Sequence, residues 1–233
     1  MIEKPSSIVW LPDRTEDIYS VISESRHRIV FPWLAKAILA RTPASVLDYG
    51  AGDGQFLISL LEAFRGMLLY YDPSINCQQK VRANAALRNV QVCPSPQSIR
   101  PSSIDVVVSI AVWMTLSSHD ECIQYLRGMQ RILRAGGTAF IAVTHPCFRE
   151  EKYSTFWTEF DNTNYLNGGV PFKVTLSDDL NKLTILDYHW NLSMMTKQAV
   201  EAGFRILAIA ELKDVDNGNS RGSPWLCFEF GKE

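Results

Sequence analysis

Short apolar runs alternate with segments of helical period along most of the chain. An amphipathic stretch over residues 15–41, interrupted at Pro32, comes before the first apolar run. The later runs have strand length, and the segments between them carry apolar residues three or four positions apart. Because strands that alternate with helices pair side by side through right-handed crossovers, the pattern predicts a parallel, doubly wound sheet. Its predicted strands are residues 45–49, 67–71, 90–93, 104–112 and 138–144.

The alternation breaks after the fifth predicted strand. Residues 146–188 lack a long helical period and are rich in aromatic side chains, and a hairpin is predicted between 172–176 and 183–186. A helix over 193–202 and strands over 204–210 and 225–230 then complete the pattern. We expect one α/β domain over residues 1–233, with N-terminal helices over 1–43 and a β-rich insertion over 146–188. The insertion is interpreted as a substrate lid, and the alternative is the core of a small subdomain.

Charge and composition narrow the classes of partner. Hydrophobic residues make up 46% of the chain and charged residues 21%, and the formal net charge is -2. A near-neutral chain lacks the basic excess that drives non-specific nucleic-acid binding. No apolar run reaches the roughly 20 residues of a membrane span, and the N-terminus does not have the pattern of a signal peptide. We therefore expect no nucleic-acid partner and no membrane partner.

The cysteines indicate a reducing compartment. There are five cysteines, an odd number, and no pair has C-x-x-C spacing. The odd number and the spacing argue against a disulfide framework and against a zinc site built from cysteines. We expect a cytoplasmic protein without a metal site.

We expect the protein to be present as a monomer or a homodimer.

The most informative segment follows the first predicted strand. Asp48, Gly50, Gly52 and Gly54 lie two residues apart, directly before a predicted helix. Glycines permit positive φ and let a ligand approach the backbone, while the helix N-terminus offers free N–H groups to an anionic group. In a dinucleotide-binding G-x-G-x-x-G fingerprint the third glycine would stand at position 55, which is Gln55.

This D-x-G-x-G-x-G segment resembles motif I of the class I S-adenosylmethionine-dependent methyltransferases. Further matches follow in order: Asp72 at the end of the second strand, Leu133 to Thr138 before the fifth strand with Ala135 where proline is usual, and Ala202-Gly203-Phe204. The resemblance implies a Rossmann-like, doubly wound sheet of seven strands with an antiparallel last strand. It also implies that Asp72 accepts hydrogen bonds from ribose hydroxyls; alone, Asp72 would be read as a helix cap.

Other details resemble a bacterial branch of small-molecule methyltransferases. They are the helical segment that ends at Pro32, the His145-Pro146 pair and residues 188–193, where Trp190 replaces the usual arginine. The acid that often binds adenine after the third strand is missing. Adenine recognition is therefore assigned to backbone groups or to Ser95 and Gln97.

Site residues follow from this resemblance. The cofactor is S-adenosylmethionine, with S-adenosylhomocysteine as product. General-base roles are considered for His145 and His189, because imidazole titrates near neutral pH and both residues should lie at the ligand-binding edge of the sheet; the alternative for each is a structural role. The predicted cofactor contacts are Asp48, Gly50, Ala51, Gly52, Asp72, Pro73, Ser95 and Ile110, and the predicted substrate contacts are Tyr19, Trp113, Phe148, Tyr153, Phe156, Trp157 and Tyr165.

Three functions remain open at the level of sequence. The first is methyl transfer to O or N of a small hydrophobic or aromatic metabolite, for instance in secondary metabolism. The second is an RNA or protein methyltransferase, disfavoured by the charge and by residues 109–112, which read Ser-Ile-Ala-Val in place of an Asn-Pro-Pro-Tyr-type motif. The third is a non-catalytic binder of S-adenosylmethionine, suggested by the departures at Ser95 and Trp190.

Overall fold

A computed structural model describes residues 25–177, 182–213 and 222–233 of the chain. Within these ranges the strands form a seven-stranded sheet in the order β3-β2-β1-β4-β5-β10-β9 and a three-stranded sheet in the order β6-β7-β8. The strands are β1 (Ser45–Tyr49), β2 (Met67–Tyr71), β3 (Gln91–Val92), β4 (Ile104–Ile110), β5 (Leu133–Thr144), β6 (Phe156–Glu159), β7 (Val170–Ser177), β8 (Lys182–His189), β9 (Arg205–Leu212) and β10 (Trp225–Gly231).

Five α-helices lie in the described ranges. They are α1 (Phe31–Leu39), which continues a π-helical turn over Arg26–Val30, α2 (Gln55–Leu60), α3 (Ile75–Ala83), α4 (His119–Ile132) and α5 (Leu192–Glu201). The α4 helix begins with a capping box, in which the Ser118 side chain accepts from the Glu121 backbone N–H and the Glu121 side chain accepts from the Ser118 backbone N–H. No helix in the described ranges is long and apolar enough to cross a membrane.

The pairing confirms the predicted fold class. The β1 strand pairs parallel with both β2 and β4, and β4 pairs parallel with β5. The β10 strand runs antiparallel to β5 and to β9, as the resemblance implied for the last strand. The β4 strand is buried along nearly its whole length, which explains its continuous apolar run.

The fifth strand begins earlier than predicted. It starts at Leu133 rather than at residue 138, so it includes Gly136 and Gly137. The Gly136 N–H donates to the carbonyl oxygen of Lys232 at 2.9 Å, and the Lys232 N–H donates to that of Gly137 at 3.0 Å. Gly136 has a left-handed φ of 70°, and its hydrogen bond to Lys232 ties this segment to the C-terminal end of the chain.

The insertion forms the three-stranded antiparallel sheet, called here the insertion sheet (β6, β7 and β8). Its hairpin strands are longer than predicted, and Phe172 lies opposite Asp187. The insertion sheet has a hydrophobic core of its own, separate from that of the main sheet. The members of this core are Tyr153, Phe156, Phe172, Val174 and Ile185.

Candidate active site

A cleft of about 1290 Å³, including its open mouth, lies between the main sheet and the insertion sheet. Its floor is formed by the loops after β1, β2 and β4, and its roof by the inner face of the insertion sheet. The π-helical turn before α1 closes one side. The residues that line the cleft include Arg26, Asp48, Gly50, Ala51, Gly52, Asp53, Asp72, Pro73, Ile110, Ala111, Thr144, Thr155, Phe156, Val174, Leu176, Ile185, Asp187 and Trp225.

The loop after β1 is held against the end of β2. The N–H groups of Gly50 and Ala51 both donate to the carbonyl oxygen of Tyr71, at 2.8 and 3.0 Å. Gly50 has a φ of 82°, and a Cβ at this position would lie 2.5 Å from Cγ2 of Val112. Both its backbone conformation and its close approach to the β4 end therefore require glycine here.

The Asp72 carboxylate joins two loops at the floor of the cleft. Its Oδ2 accepts the Gly52 N–H at 2.8 Å, and its Oδ1 accepts the Ser74 N–H at 2.8 Å. Burial raises the pKa of Asp72, and these two backbone N–H groups act against that rise. Each carboxylate oxygen can accept about two hydrogen bonds, so both oxygens retain capacity for hydroxyl donors of a ligand.

Asp48 is the more deeply buried carboxyl group of the floor. Burial raises the pKa of Asp48 to about 8, the charge of Asp72 adds to the rise, and the guanidinium of Arg26 opposes it. Arg26 belongs to the π-helical turn before α1. One acidic residue, Asp48, and one basic residue, Arg26, thus lie near each other at this end of the cleft.

The end of β4 carries a strained residue. Ala111 has a φ of 60°, in the left-handed region, and its N–H donates to the carbonyl oxygen of Ala142 at 2.9 Å. This conformation costs a non-glycine residue about 1–2 kcal/mol. Such strain is concentrated at functional sites, where the surrounding structure maintains it.

The structure brings most of the predicted cofactor contacts together. Seven of them line the cleft: Asp48, Gly50, Ala51, Gly52, Asp72, Pro73 and Ile110. Ser95 is not among the lining residues. It precedes the 3-10 turn Pro96–Ser98, and its carbonyl oxygen accepts a hydrogen bond from the Ser98 hydroxyl at 2.6 Å.

The two predicted histidine bases lie outside the cleft lining. His145 Nδ1 accepts the Cys147 N–H at 3.1 Å, its ring packs on Phe148, and burial lowers its pKa. His189 Nε2 donates to the carbonyl oxygen of Tyr165 at 3.0 Å, and burial lowers its pKa to about 4. Both geometries correspond to the structural alternatives, and the general-base roles of His145 and His189 stay predictions.

Of the predicted substrate contacts, Phe156 lines the cleft. Tyr153 packs against it inside the insertion sheet, with ring centroids 4.9 Å apart. Trp157 follows Phe156 in the chain and therefore points to the opposite face of β6. The ammonium groups of Lys152 and Lys182 lie 4.9 and 4.7 Å from the centroid of the Trp157 ring.

The other predicted substrate contacts are placed elsewhere. Phe148 packs on His145, and the Tyr165 hydroxyl lies 3.3 Å from Cys147 Sγ. Trp113 is completely buried, and its Nε1 donates to Gln198 Oε1 at 3.0 Å. None of these three lines the cleft, and Trp113 is a core residue rather than a wall. The prediction for Tyr19 lies outside the described residues.

Arg26 and Asp187 are among the lining residues that were not predicted from the sequence. Arg26 stood inside the amphipathic N-terminal segment, where a charge reads as part of a solvated face. Asp187 did leave a signal: it occupies the inward face of β8 together with Ile185 and His189, at a position where an apolar residue would suit the alternation. Thr144 and Thr155 add hydroxyl groups to the same part of the lining.

The described ranges contain neither a cluster of metal ligands nor a disulfide. No group of three or more His, Cys, Asp or Glu residues there could hold a metal ion. All five cysteines are free thiols.

Comparison with known proteins defines the class. A family model described as "Methyltransferase domain" matches residues 22–183, well over half of the chain. The chain therefore belongs to this methyltransferase family. A search of curated proteins gave no significant match.

Solved structures share the fold along nearly the whole chain. A putative S-adenosylmethionine-dependent methyltransferase from Listeria monocytogenes has a TM-score of 0.63 at 20% identity, covering 87% of this chain and 98% of that one. One from Clostridium acetobutylicum has a TM-score of 0.65 at 10% identity, covering 94% and 98%. CalS10 of Micromonospora echinaspora, an amino pentose methyltransferase solved with S-adenosylmethionine bound, has a TM-score of 0.62 at 15% identity, covering 92% and 95%.

The burial of Asp48 makes stability depend on pH. The unfolded chain releases this proton near the ordinary pKa of about 3.9, whereas the folded chain holds it until about pH 8. The Asp48 contribution to stability is therefore fully present below pH 4 and is lost as pH rises through 8. We expect Asp48→Asn to match the wild type at low pH and to exceed it increasingly up to about pH 8, measured by urea unfolding of the protein without added ligands.

The matched control is Asp120→Asn, which removes the same charge from an exposed position of α4. Its free energy of unfolding should differ from the wild type by a small amount that changes little with pH. A constant offset between Asp48→Asn and wild type at every pH would contradict the raised pKa.

A second prediction concerns Trp113. Trp113→Phe removes the hydrogen bond to Gln198 and leaves a buried amide oxygen without its donor. We expect a loss of about 1–3 kcal/mol in the free energy of unfolding. Trp157→Phe, the same change on the outer face of β6, should cost much less when both are measured by urea unfolding; equal losses would show that Trp113 is not a core residue.

Proposed function

We propose that the chain binds S-adenosylmethionine in this cleft and transfers its methyl group to O or N of a small, largely apolar molecule. The observation that carries the proposal is the floor of the cleft. There a glycine loop, the Asp72 carboxylate and the Asp48–Arg26 pair meet in one continuous lining. Membership of the methyltransferase family supports the reaction class.

The residues of the floor suit the chemistry of this cofactor. Asp72 offers acceptor capacity on both oxygens for the two ribose hydroxyls. Asp48 and Arg26 present one acidic and one basic group, which complement an ammonium and a carboxylate of the methionine part. Pro73 and Ile110 add apolar surface to the same lining.

The protein contributes to the reaction by positioning the two reactants and by excluding water from the cleft. The bound cofactor supplies an electrophilic methyl group on a sulfonium. Holding a nucleophile in line with such a group contributes several kcal/mol without acid or base catalysis. In this proposal the floor of the cleft holds the cofactor and the roof holds the substrate.

The roof supports a small, largely apolar substrate. Phe156, Val174, Leu176 and Ile185 face the cleft from the insertion sheet, and Trp225 adds an indole from β10. Ligand pockets are predominantly apolar, with a few polar groups that fix orientation. We propose that the insertion sheet acts as the substrate lid of a single α/β domain.

The five free thiols are compatible with the cytoplasm, which we propose as the location of the protein.

Substitution of Asp72 tests the cofactor assignment. Asp72→Ala removes the acceptor for both ribose hydroxyls and also loosens the loop at Gly52. With each hydrogen bond contributing about 1 kcal/mol, S-adenosylhomocysteine should bind roughly 10- to 100-fold more weakly. Isothermal titration calorimetry measures this affinity directly.

Asp120→Ala serves as the matched control, because it removes an exposed carboxylate outside the cleft. It should leave the affinity for S-adenosylhomocysteine unchanged. Absence of binding to the wild type would refute the proposed function, and unchanged binding by Asp72→Ala would refute the role of Asp72 alone.

A further inference from the structure

A carboxylate stands in the roof of the cleft, opposite the cofactor floor. Asp187 lies on β8 and lines the cleft, although only 3% of its surface is exposed. The other roof residues that line the cleft are Thr155, Phe156, Val174, Leu176 and Ile185. Asp187 is therefore the only ionisable group among the roof residues that line the described cleft.

One buried guanidinium, that of Arg149, lies near this carboxylate without lining the cleft. Arg149 is buried, its Nη1 donates to Thr144 Oγ1 at 2.6 Å, and its Cζ lies 4.5 Å from the ring centroid of Phe172, the residue opposite Asp187. Burial lowers the pKa of Arg149 to about 10, and the charge of Asp187 acts against that fall. Arg149 is not among the residues that line the cleft, so its charge stabilises Asp187 without occupying the cleft.

The carboxylate of Asp187 forms part of the cleft lining, where a ligand can reach it. A carboxylate can accept about four hydrogen bonds. Thr144 and Thr155 stand in the same lining with hydroxyl groups that can complete a polar pocket. The other roof residues that line the cleft, Phe156, Val174, Leu176 and Ile185, are apolar.

The charges of the whole cleft favour a cation over an anion. Three carboxylates line it, those of Asp53, Asp72 and Asp187, against the single lining guanidinium of Arg26. The Asp48 carboxyl group, whose pKa burial raises to about 8, adds little negative charge at neutral pH. An anionic substrate would meet a field of its own sign, and charge complementarity selects partners strongly. A positively charged amine attached to an apolar body matches both the carboxylate and the apolar wall.

We propose that Asp187 determines substrate specificity and that the methyl acceptor is an amine, which Asp187 binds as its ammonium ion. This inference rests on the proposed function and names the substrate class for it. For transfer, the ammonium gives one proton to an Asp187 oxygen. The freed lone pair then forms the new bond to the methyl carbon, while the electron pair of the carbon–sulfur bond stays on sulfur.

The test uses the full chain saturated with S-adenosylhomocysteine and a matched pair of probes, 3-phenylpropylamine and 3-phenylpropan-1-ol. Calorimetry should show the amine binding to the wild type at least about tenfold more tightly than the alcohol, equivalent to 1.4 kcal/mol. Asp187→Asn should remove this preference and leave the affinity for S-adenosylhomocysteine within about twofold of the wild-type value, a difference of about 0.4 kcal/mol.

Glu159→Gln is the matched control. It removes one carboxylate from the same sheet, at an exposed position whose Oε2 lies 3.5 Å from Lys173 Nζ, and it should keep the full preference for the amine. If Asp187→Asn fails to fold because Arg149 is left buried without its counter-charge, the double variant Asp187→Asn with Arg149→Gln removes both charges together.

The outcomes separate the two proposals. Wild-type protein that does not bind S-adenosylhomocysteine refutes the proposed function. Wild-type protein that binds it but shows no preference for the amine, or that binds neither probe, overturns the inference alone. A preference that survives Asp187→Asn assigns the Asp187–Arg149 pair to the stability of the insertion sheet and also overturns the inference.

Discussion

The site depends on how the sheet divides around β1. The chain moves from β1 to β2 on one side and later returns to place β4 on the other, so a crevice opens beyond the carboxyl ends of these strands. The loop after β1 crosses this crevice and is fixed there by protein groups alone. Gly50 and Ala51 donate to the Tyr71 carbonyl oxygen, and the Tyr70 hydroxyl donates to that of Gly52 at 2.6 Å. Such a loop needs little reordering when a ligand binds, which lowers the entropic cost of binding.

The burial of two acidic groups in the floor of the cleft has an energetic cost. Asp48 and Asp72 lie almost completely inside the protein, and their charged forms are disfavoured by the loss of water. The two backbone N–H groups on Asp72 and the guanidinium near Asp48 compensate in part. Under the proposed function, the ribose hydroxyls and the ammonium group of the cofactor would complete this compensation. Without a ligand, the burial of these two acidic groups lowers the stability of the folded protein at neutral pH.

The features that sequence could predict are those encoded by near neighbours in the chain. The strand–glycine–helix order around Asp48 and the acid at the end of β2 are local, and the sheet order follows from general rules of chain crossing. The features it could not predict depend on distant contacts. Trp113 was a predicted substrate contact, but it is buried in the core, where its Nε1 donates to Gln198. Trp190, which stands where arginine is usual, is buried as well, and its Nε1 donates to the Leu116 carbonyl oxygen at 2.9 Å. Aromatic content alone does not reveal which face of a strand a ring occupies, so Phe156 and its neighbour Trp157 could not be distinguished.

The separate core of the insertion sheet has a consequence for divergence within the family. Because Tyr153, Phe172 and Val174 pack among themselves, this sheet can change its inward-facing residues without disturbing the interior of the main sheet. Under the proposed function, mutations that alter which molecule is methylated and mutations that alter binding of the methyl donor would therefore fall on different parts of the chain. Selection could then redirect the enzyme to a new acceptor while the residues of the floor stay unchanged.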